Sequence, residues 1–326
     1  MNSFLQNLRA RGAKNHAKKI IFPEAKDDRV LEAAHIALQE KIATPVFVCE
    51  SEDVPKVKAL GLAYVAMEGK RQDSLQTLLL ELRSGKLSKE EAHTLACNPL
   101  MYGMYLLRLG EGDGLVAGAS YTTADVLRAG LWLVGKAEGV QTVSSSFYMI
   151  VPPFRDSGTE EVLTFSDCAV VPQPTPEQLA DIAISAADAR SRIVGDEPKV
   201  ALLSYSTKGS GGTSQSITLV REALELVRKR RPDLIVDGEM QADAALSFVI
   251  SDRKSPGSPV KGAANILIFP SLDAANISYK LVSTLCPGTH ALGPILQGFN
   301  KPISDVSRGA RANDIVDIVR IVSSQI

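Results

Sequence analysis

The stretch KIIFPEAKDDRVLEAAHIALQEKIATPVFV, residues 19–48, contains two short apolar runs on either side of a helical pattern. The apolar runs are Lys19–Pro23 and Thr44–Val48, each of the length of a strand. The residues that recur at helical spacing between them are Val30, Leu31, Ala34 and Leu38. A strand, a helix and a second strand in this order are typical of parallel strands joined by a right-handed crossover. The stretch therefore predicts an α/β fold with a mainly parallel sheet.

Length and composition extend this prediction to the whole chain. The 326 residues exceed the size that one hydrophobic core comfortably serves, so we expect two domains. Hydrophobic residues make up 45% and charged residues 22% of the chain, which is typical of a globular protein. Aromatic residues are scarce, at 5%, whereas Ala, Val, Ile and Leu are abundant, which suits buried parallel strands covered by helices.

Other classes of protein are disfavoured by the sequence. A net charge of −1 argues against a nucleic-acid-binding surface, and no apolar run approaches the length of a membrane span. The four histidines lack metal-ligand spacing. The four cysteines are widely scattered without a Cys-x-x-Cys pair, which indicates reduced, mostly buried thiols of a cytoplasmic protein. Met1–Lys19 is basic like a transit peptide, but Phe4, Leu5 and Leu8 share a helix face, so we predict an integral first helix.

Two loops have the composition of anion sites. Tyr205–Ser214, YSTKGSGGTS, joins a predicted strand to a predicted helix, and its glycines with Lys208 could surround a phosphate. A tight turn capped by Ser214 explains the same residues, and the loop matches neither a Walker A nor a dinucleotide fingerprint. Asp113–Arg128 places Thr122, Thr123 and a helical arginine after a strand, where ligands of parallel sheets bind. Arg128 on an exposed helix surface is the alternative.

The C-terminal stretch Phe299–Ile318 combines a polar, turn-rich run with an amphipathic helix. The apolar helix face consists of Ile315, Val316, Ile318, Val319 and Val322. We predict Asn313 as the N-cap and Asp314 in the first turn, near the positive end of the helix dipole. Ser307 and Arg308 precede a glycine in a predicted tight turn. A hydroxyl, a guanidinium and a carboxylate would then converge at an anion-friendly helix end, although a simple capped helix contains the same residues.

Eight blocks of the sequence, in order, resemble the phosphate acetyltransferase (phosphotransacetylase) family. They are IIFPEAKDDRVLEAA, DGLVAGASYTTADVLRAGL, FSDCAVVPQPTPEQLADIA, YSTKGSGGTSQSITLVREAL, DGEMQADAAL, NILIFPSLDAANISYKL, GPILQGFNKPISDVSRGA and NDIVDIV, and they extend from about Ile20 to the end of the chain. The resemblance is to the short form of the family, and it implies reversible transfer of an acetyl group between CoA and inorganic phosphate.

The resemblance also implies an architecture. Two α/β domains with mainly parallel sheets would flank an active-site cleft, as in isocitrate and isopropylmalate dehydrogenases, and the protein would be a homodimer. The last segment returns to the first domain in this family. We therefore expect residues 1–139 with 297–326 to form the first domain, and residues 140–296 to form the second, dimerising one.

Site residues are carried over position by position. The catalytic Ser-Arg pair of the family maps onto Ser307 and Arg308, and its catalytic aspartate onto Asp314. Two substrate-binding arginines map onto Arg128 and Arg83, the second through the short match ELR. We add Thr122, Thr123 and Lys208 as substrate-binding candidates from their loops. The family's chemistry requires no metal and no cofactor, since CoA is a substrate.

Three alternatives stay open from the sequence. A phosphate butyryl- or propionyltransferase would share the fold and part of the pattern. A metal-dependent decarboxylating dehydrogenase of similar architecture would need an aspartate cluster and a nicotinamide site, neither of which is convincing here. A non-catalytic regulatory domain is disfavoured by the presence of Ser307, Arg308 and Asp314 together.

Overall fold

The computed structural model describes residues 3–12, 18–155 and 158–326. Apart from the first four residues, the chain divides into two compact units. Unit 1 comprises Leu5–Glu138 with Phe299–Ile326, and unit 2 comprises Gly139–Gly298.

The described residues form eleven strands. In chain order they are β1 Lys19–Phe22, β2 Thr44–Cys49, β3 Ala63–Ala66, β4 Gly114–Ala117, β5 Ser144–Val151, β6 Glu161–Ser166, β7 Lys199–Leu203, β8 Ile235–Met240, β9 Ile266–Ile268, β10 His290–Gln297 and β11 Ile303–Asp305.

The helices alternate with these strands over most of the chain. They are α1 Ser3–Gly12, α2 Asp28–Gln39, α3 Val54–Ala59, α4 Lys70–Leu82, α5 Lys89–Ala96, α6 Pro99–Arg108, α7 Thr123–Ala129, α8 Pro176–Ile193, α9 Gln215–Arg230, α10 Ala242–Leu246, α11 Phe248–Lys254, α12 Leu272–Leu285 and α13 Ala312–Ser324, with a π-helical turn, Gly130–Val134, after α7. Within the described part of the chain, no helix is both long and apolar enough to cross a membrane. The predicted first helix is confirmed as α1, with Phe4 and Leu8 buried, whereas residues 1–2 and 13–17 of that segment lie outside the described residues.

The sheet of unit 1 is parallel throughout. Its strand order is β3-β2-β1-β4-β11, so β4 lies between β1 and β11. The carboxyl ends of these three strands therefore lie side by side, and the segments that follow them meet at one edge of the sheet. The predicted β-α-β opening is confirmed as β1, α2 and β2.

Unit 2 has a mixed sheet with the order β10-β5-β6-β9-β7-β8. The pairs of β5 with β10 and with β6 are antiparallel, and the remaining pairs are parallel. Both faces of this sheet are covered: Val200 and Leu202 of β7 pack into a core with α8 and α9, whereas Ala201 and Leu203 pack into a second core on the other face. This is the burial expected of an apolar parallel strand.

The apolar face predicted for helix α13 is confirmed, because the helix packs that face into the core of unit 1. All five of its predicted apolar residues are buried. The predicted N-cap Asn313 is wrong, because the helix begins at Ala312 and Arg311 is the N-cap residue. Asp314 lies in the first turn as predicted, as the third helical residue, and its carboxylate accepts the Arg311 backbone N–H. A carboxylate at this position satisfies one of the unpaired donors of the first turn, so no Asn side chain is required.

Two segments differ from the structure that their residues predict. The apolar run Cys168–Val171 predicts a short strand, but it forms none because the Asp167 carboxylate accepts the N–H groups of Ala169, Val170 and Val171. Those donors are thereby removed from any strand ladder. Conversely, the polar run Ser304–Gly309 predicts a turn, but its first two residues belong to β11, a fully buried three-residue strand beside β4. Four cysteines are free thiols, of which Cys49 and Cys168 are buried.

Candidate functional site

The turn after β11 exposes Ser307 and Arg308. The turn is closed by a hydrogen bond from the Ala310 N–H to the Ser307 carbonyl at 2.8 Å, and the Gly309 N–H donates to Ser307 Oγ at 3.2 Å. The Arg308 guanidinium makes no hydrogen bond or ion pair among the described residues, and the side chain is exposed. A planar cation whose N–H groups make no hydrogen bond within the protein can bind two oxygens of a phosphoryl group.

Asp314 lies in the first turn of α13, close in sequence to that pair. Its Oδ2 accepts the Arg311 backbone N–H at 2.9 Å and lies 3.4 Å from Arg311 Nε. The Asp314 side chain is 45% exposed, so a lone pair of the carboxylate stays accessible to a bound molecule. The geometry therefore suits a capping role for Asp314 and also leaves its carboxylate accessible for the role of a base.

The loop after β4 surrounds a carboxylate of the chain itself. Glu24, two residues beyond β1, accepts four consecutive backbone N–H groups, from Gly118 and Ala119 at 3.2 Å each, Ser120 at 2.6 Å and Tyr121 at 3.1 Å. Burial raises the pKa of Glu24 above its usual value, while these hydrogen bonds oppose the shift. Because these amides are occupied, the loop presents side chains to a substrate rather than a backbone cradle.

Arg29, in the first turn of α2, connects this loop with the turn after β11. Its guanidinium donates to the carbonyl of Ala119 at 3.1 Å, of Arg308 at 2.7 Å and of Ala310 at 2.9 Å. It also forms an ion pair with Asp27, at 2.7 Å, and this pairing lowers the pKa of the Asp27 carboxyl. One side chain therefore holds two loops that leave neighbouring strands.

Asp305, the last residue of β11, accepts a hydrogen bond from Thr123 at the start of α7. The distance from Thr123 Oγ1 to Asp305 Oδ2 is 2.5 Å. Asp305 is 2% exposed, and burial raises the pKa of its carboxyl to about 7. Gly118 is required opposite it, because a Cβ at that position would lie 2.1 Å from Asp305 Oδ1, and its φ of +110° disfavours other residues.

Thr122 and Arg128 share one partner, Asp125. Thr122 caps α7: its Oγ1 accepts the Asp125 N–H at 3.2 Å and donates to Asp125 Oδ2 at 2.6 Å. Arg128 donates to Asp125 Oδ1 at 3.0 Å, and both side chains are exposed. The pKa of the Asp125 carboxyl is lowered, chiefly by the Thr122 hydrogen bond. An exposed ion pair of this kind is weak, so Arg128 can exchange Asp125 for an anionic ligand.

The remaining two candidates have other partners. The Arg83 guanidinium lies 4.4 Å from the centre of the Trp132 ring, and Arg83 Nε is buried without a hydrogen-bond partner among the described residues. Lys208, in unit 2, donates to Asp237 at 2.5 Å and to the Gly238 carbonyl at 3.0 Å. Among the described residues, no hydrogen bond or ion pair joins Arg83 to the turn after β11.

The glycine-rich loop of unit 2 binds a carboxylate of its own chain. Glu239, 2% exposed, accepts the Gly209 N–H at 2.8 Å, the Ser206 hydroxyl at 2.9 Å and the Arg221 guanidinium at 2.7 Å. The loop donors that suggested a phosphate cradle thus bind a carboxylate of the protein itself. Lys208 and the loop amide of Gly209 are occupied in the same way.

The structure thus brings part of the predicted site together. Ser307, Arg308 and Asp314 lie on one loop and helix start, and Thr123 donates a hydrogen bond to Asp305, two residues before Ser307. Sequence reasoning missed the residues that organise this region, namely Glu24, Asp27, Arg29 and Asp305. A usable signal existed for Glu24, because it follows a predicted strand at the edge where ligands of parallel sheets bind.

A model of the family described as Phosphate acetyl/butaryl transferase matches residues 3–323. The chain belongs to this family. A relative named Phosphate acetyltransferase, from Treponema pallidum (strain Nichols), is 45% identical over 309 residues, which cover 92% of each chain. The crystal structure of a phosphotransacetylase from Streptococcus pyogenes covers 98% of each chain, with a TM-score of 0.89 and 35% identity.

These comparisons confirm the resemblance found in the sequence. The protein is an acyltransferase of the phosphate acetyl/butaryl transferase family, whose activity is reversible acyl transfer between CoA and phosphate. The expected α/β class related to dehydrogenases is also confirmed. A 4-hydroxythreonine-4-phosphate dehydrogenase from Klebsiella pneumoniae has a TM-score of 0.53 over 94% of this chain and 98% of its own, and at 13% identity it shares the fold alone. The family match over residues 3–323 and the 45% identical relative do not favour the dehydrogenase alternative.

Proposed function

We propose that this protein catalyses the reversible reaction of acetyl-CoA with inorganic phosphate to give acetyl phosphate and CoA. The observation that carries the proposal is the exposed pair Ser307–Arg308 a few residues before the accessible carboxylate of Asp314. A cation with free N–H donors, a hydroxyl and a base are the groups this acyl transfer requires. The 45% identity to a protein named Phosphate acetyltransferase supports acetyl as the acyl group.

In the proposed mechanism both substrates bind before chemistry occurs. The CoA thiol, with a pKa of about 8.5, is mostly protonated at neutral pH and is a poor nucleophile in that form. The Asp314 carboxylate takes the thiol proton as the sulfur attacks the carbonyl carbon of acetyl phosphate. A bond forms between the CoA sulfur and the acetyl carbon. The bond between that carbon and the bridging oxygen breaks, and its electron pair leaves with phosphate.

Ser307 and Arg308 stabilise the charge that develops during this step. The Ser307 hydroxyl donates to the carbonyl oxygen as it becomes negative, and Arg308 binds the phosphoryl oxygens in a bidentate manner. We assign CoA binding to Arg128 and Arg83, and contacts with substrate oxygens to Thr122 and Thr123. Lys208 is the weakest of these assignments, because its ammonium already has a buried carboxylate partner, Asp237.

No step of this mechanism requires a resident metal or cofactor. Arg308 supplies the positive charge that a Lewis acid would otherwise provide. In the described ranges, no group of three or more His, Cys, Asp and Glu side chains could hold a metal ion.

The test is an assay of CoA-dependent acetyl phosphate consumption, with propionyl and butyryl phosphate as parallel substrates. We expect the highest kcat/KM for acetyl phosphate. A preference for butyryl phosphate would establish the second candidate, which the family description itself includes. Absence of transfer with all three substrates would contradict the proposed function.

We further propose a two-domain homodimer in the cytoplasm, with residues 1–139 and 297–326 as one domain and 140–296 as the other. The compact units, with boundaries after Glu138 and after Gly298, support the division, and the free thiols support the compartment. On α12, the side chains Ile277, Leu281 and Leu285 recur every four residues and are 57%, 52% and 73% exposed. An apolar stripe of this kind is typical of a surface covered by another chain.

The oligomer is tested by light scattering of the protein and of Leu281→Glu. We expect a dimer that becomes monomeric in this variant, because a charge in an apolar contact is unfavourable. Leu109→Glu, at a position 50% exposed in unit 1, is the control and is expected to stay dimeric. A monomeric unmodified protein would contradict the proposal.

A further inference from the structure

Arg29 has no role in the mechanism above, but its side chain holds the turn that contains Ser307 and Arg308. Arg29 donates to the carbonyls of Arg308 and Ala310, which lie on either side of Gly309. The same guanidinium donates to the Ala119 carbonyl in the loop that leads to Thr122 and Thr123. The sequence separation is 279 residues for the bond to Arg308 and 90 for the bond to Ala119. No local interaction could therefore set these two segments relative to each other.

The Arg29 guanidinium is itself held by the carboxylate of Asp27. Asp27 accepts from Arg29 Nη2 at 2.7 Å and from Nε at 3.1 Å, while the same carboxylate caps α2 through the Arg29 backbone N–H at 2.9 Å. A planar fork held by a carboxylate on one side presents its other donors in a defined direction. Lysine has one point charge in place of this fork and could not reach three carbonyls and a carboxylate together.

We infer that Arg29 is a positioning residue of the active site, which sets the place of the Ser307–Arg308 turn against the Ala119 loop. The inference rests on the proposed function and deepens it. The Arg308 side chain is held by no hydrogen bond among the described residues, so its position depends on its backbone, and that backbone is held by Arg29. A displacement of about 1 Å at a reacting group can cost on the order of 10²-fold in rate. Arg29 therefore governs kcat more than substrate affinity.

The test compares Arg29→Lys and Arg29→Ala with the same changes at Arg231. Arg231 is a matched control, because it is 31% exposed against 36% for Arg29 and also pairs with carboxylates, Asp188 and Asp233, but lies in unit 2. For both Arg29 variants we expect kcat to fall by about 30- to 100-fold, with KM for CoA and acetyl phosphate within about threefold of wild type. The Arg231 variants should keep kcat within about threefold.

Chemical rescue separates positioning from a general loss of stability. Millimolar guanidinium should restore part of kcat to Arg29→Ala by occupying the vacated place between Asp27 and the carbonyls, and should not accelerate Arg231→Ala. Unchanged kcat in Arg29→Lys and Arg29→Ala, or a loss of the same size in the Arg231 variants, would overturn the inference. If neither Arg29 variant folds, Asp27→Asn is measured instead, with an expected loss of about tenfold in kcat, and full activity would overturn the inference.

The outcomes also distinguish the inference from the proposed function. A wild-type protein without acyl transfer activity would contradict the function, whatever the variants do. An active wild type with an equally active Arg29→Ala would leave the function intact and remove only the role of Arg29.

Discussion

Thr123 donates its hydroxyl to Oδ2 of Asp305 at 2.5 Å, while Oδ1 of the same carboxyl has no hydrogen-bond partner among the described residues. Burial and the nearby charge of Glu24 raise the pKa of Asp305, and the Thr123 bond and Arg308 oppose the rise, with a result of about 7. A group of this kind changes charge near neutral pH at the edge of the proposed site.

The first prediction is that Asp305 makes the protein less stable as pH rises. A carboxyl whose pKa is higher in the folded chain than in the unfolded one stabilises the fold below the unfolded pKa, near 3.8, and this contribution is lost as pH rises toward about 7. The change is on the order of 4 kcal/mol. Asp305→Asn, which cannot ionise, should therefore melt several degrees higher than wild type at about pH 8 and near wild type at about pH 4.

Thermal unfolding of both proteins across this pH range provides the measurement. Thr123→Val is the companion variant, because loss of its hydroxyl removes a bond that lowers the Asp305 pKa and should strengthen the pH dependence. An equal difference in Tm at both pH values would show that Asp305 does not titrate in this range.

The second prediction concerns Arg308. Arg308→Ala should lower kcat by on the order of 10²–10³-fold, because the lost charge faces oxygens that become negative only in the transition state. The Tm should change little, since the side chain is exposed. Steady-state kinetics and thermal melting test both statements. Arg253→Ala is the control, since Arg253 is exposed and lies in unit 2, and it should keep most of its activity. A loss below about threefold in Arg308→Ala would contradict the assigned role.

The third prediction separates the two roles of Asp314. As a first-turn carboxylate it contributes about 0.3–1 kcal/mol through the helix dipole, and Asp314→Asn should then barely affect kcat. As the base toward the CoA thiol, its loss should cost on the order of 10²–10⁴ in rate. The deficit should narrow as pH rises from about 6.5 to about 9.5, because the free thiol ionises near 8.5 without help.

The measurement is kcat for Asp314→Asn and wild type across that pH range. Asp273→Asn, a first-turn carboxylate of α12 in unit 2, is the matched control and should leave kcat unchanged. A large deficit that stays flat with pH would indicate that Asp314 positions CoA, and no deficit would leave it a helix-capping residue.

The fourth prediction is that exhaustive chelation leaves the activity intact. In the proposed mechanism, Arg308 and hydrogen-bond donors stabilise the negative charge, so a divalent ion has no step to assist. The assay is repeated after dialysis against a chelator, with and without added magnesium or zinc. Activity that disappears on chelation and returns with the metal would refute the mechanism.

Local patterns predicted the elements whose formation depends on nearby residues. The spacing of Val30, Leu31 and Ala34 predicted α2, and the apolar face of α13 is buried as expected. Ser88 and Glu91 form the capping box that their spacing indicates, and α8 begins at Pro176. Periodicity and caps act within one or two turns, so they can be recognised without the rest of the fold. Likewise, the family was identified from short blocks in order.

Local patterns failed where a distant partner satisfies the backbone. The Tyr205–Ser214 loop has the composition of a phosphate cradle, but its donors Ser206 and Gly209 bind the buried carboxylate of Glu239, about 30 residues away. At 168–171, a strand-like apolar run is held in a turn by Asp167. In both cases a carboxylate of the protein accepts the backbone N–H groups that a strand or a bound phosphate would otherwise use. The position of that carboxylate depends on the packing of the fold.

The sequence by itself determined the α/β class, the family and the segment that carries Ser307, Arg308 and Asp314, because each is a property of contiguous residues. Only the tertiary structure decided which groups surround that segment. The strand order places β4 between β1 and β11, so Glu24, Asp305 and the Ala119 loop meet at one edge although they are far apart in the chain. Hydrogen bonds over 182 and 279 residues, from Thr123 to Asp305 and from Arg29 to Arg308, follow from that order and from no local pattern.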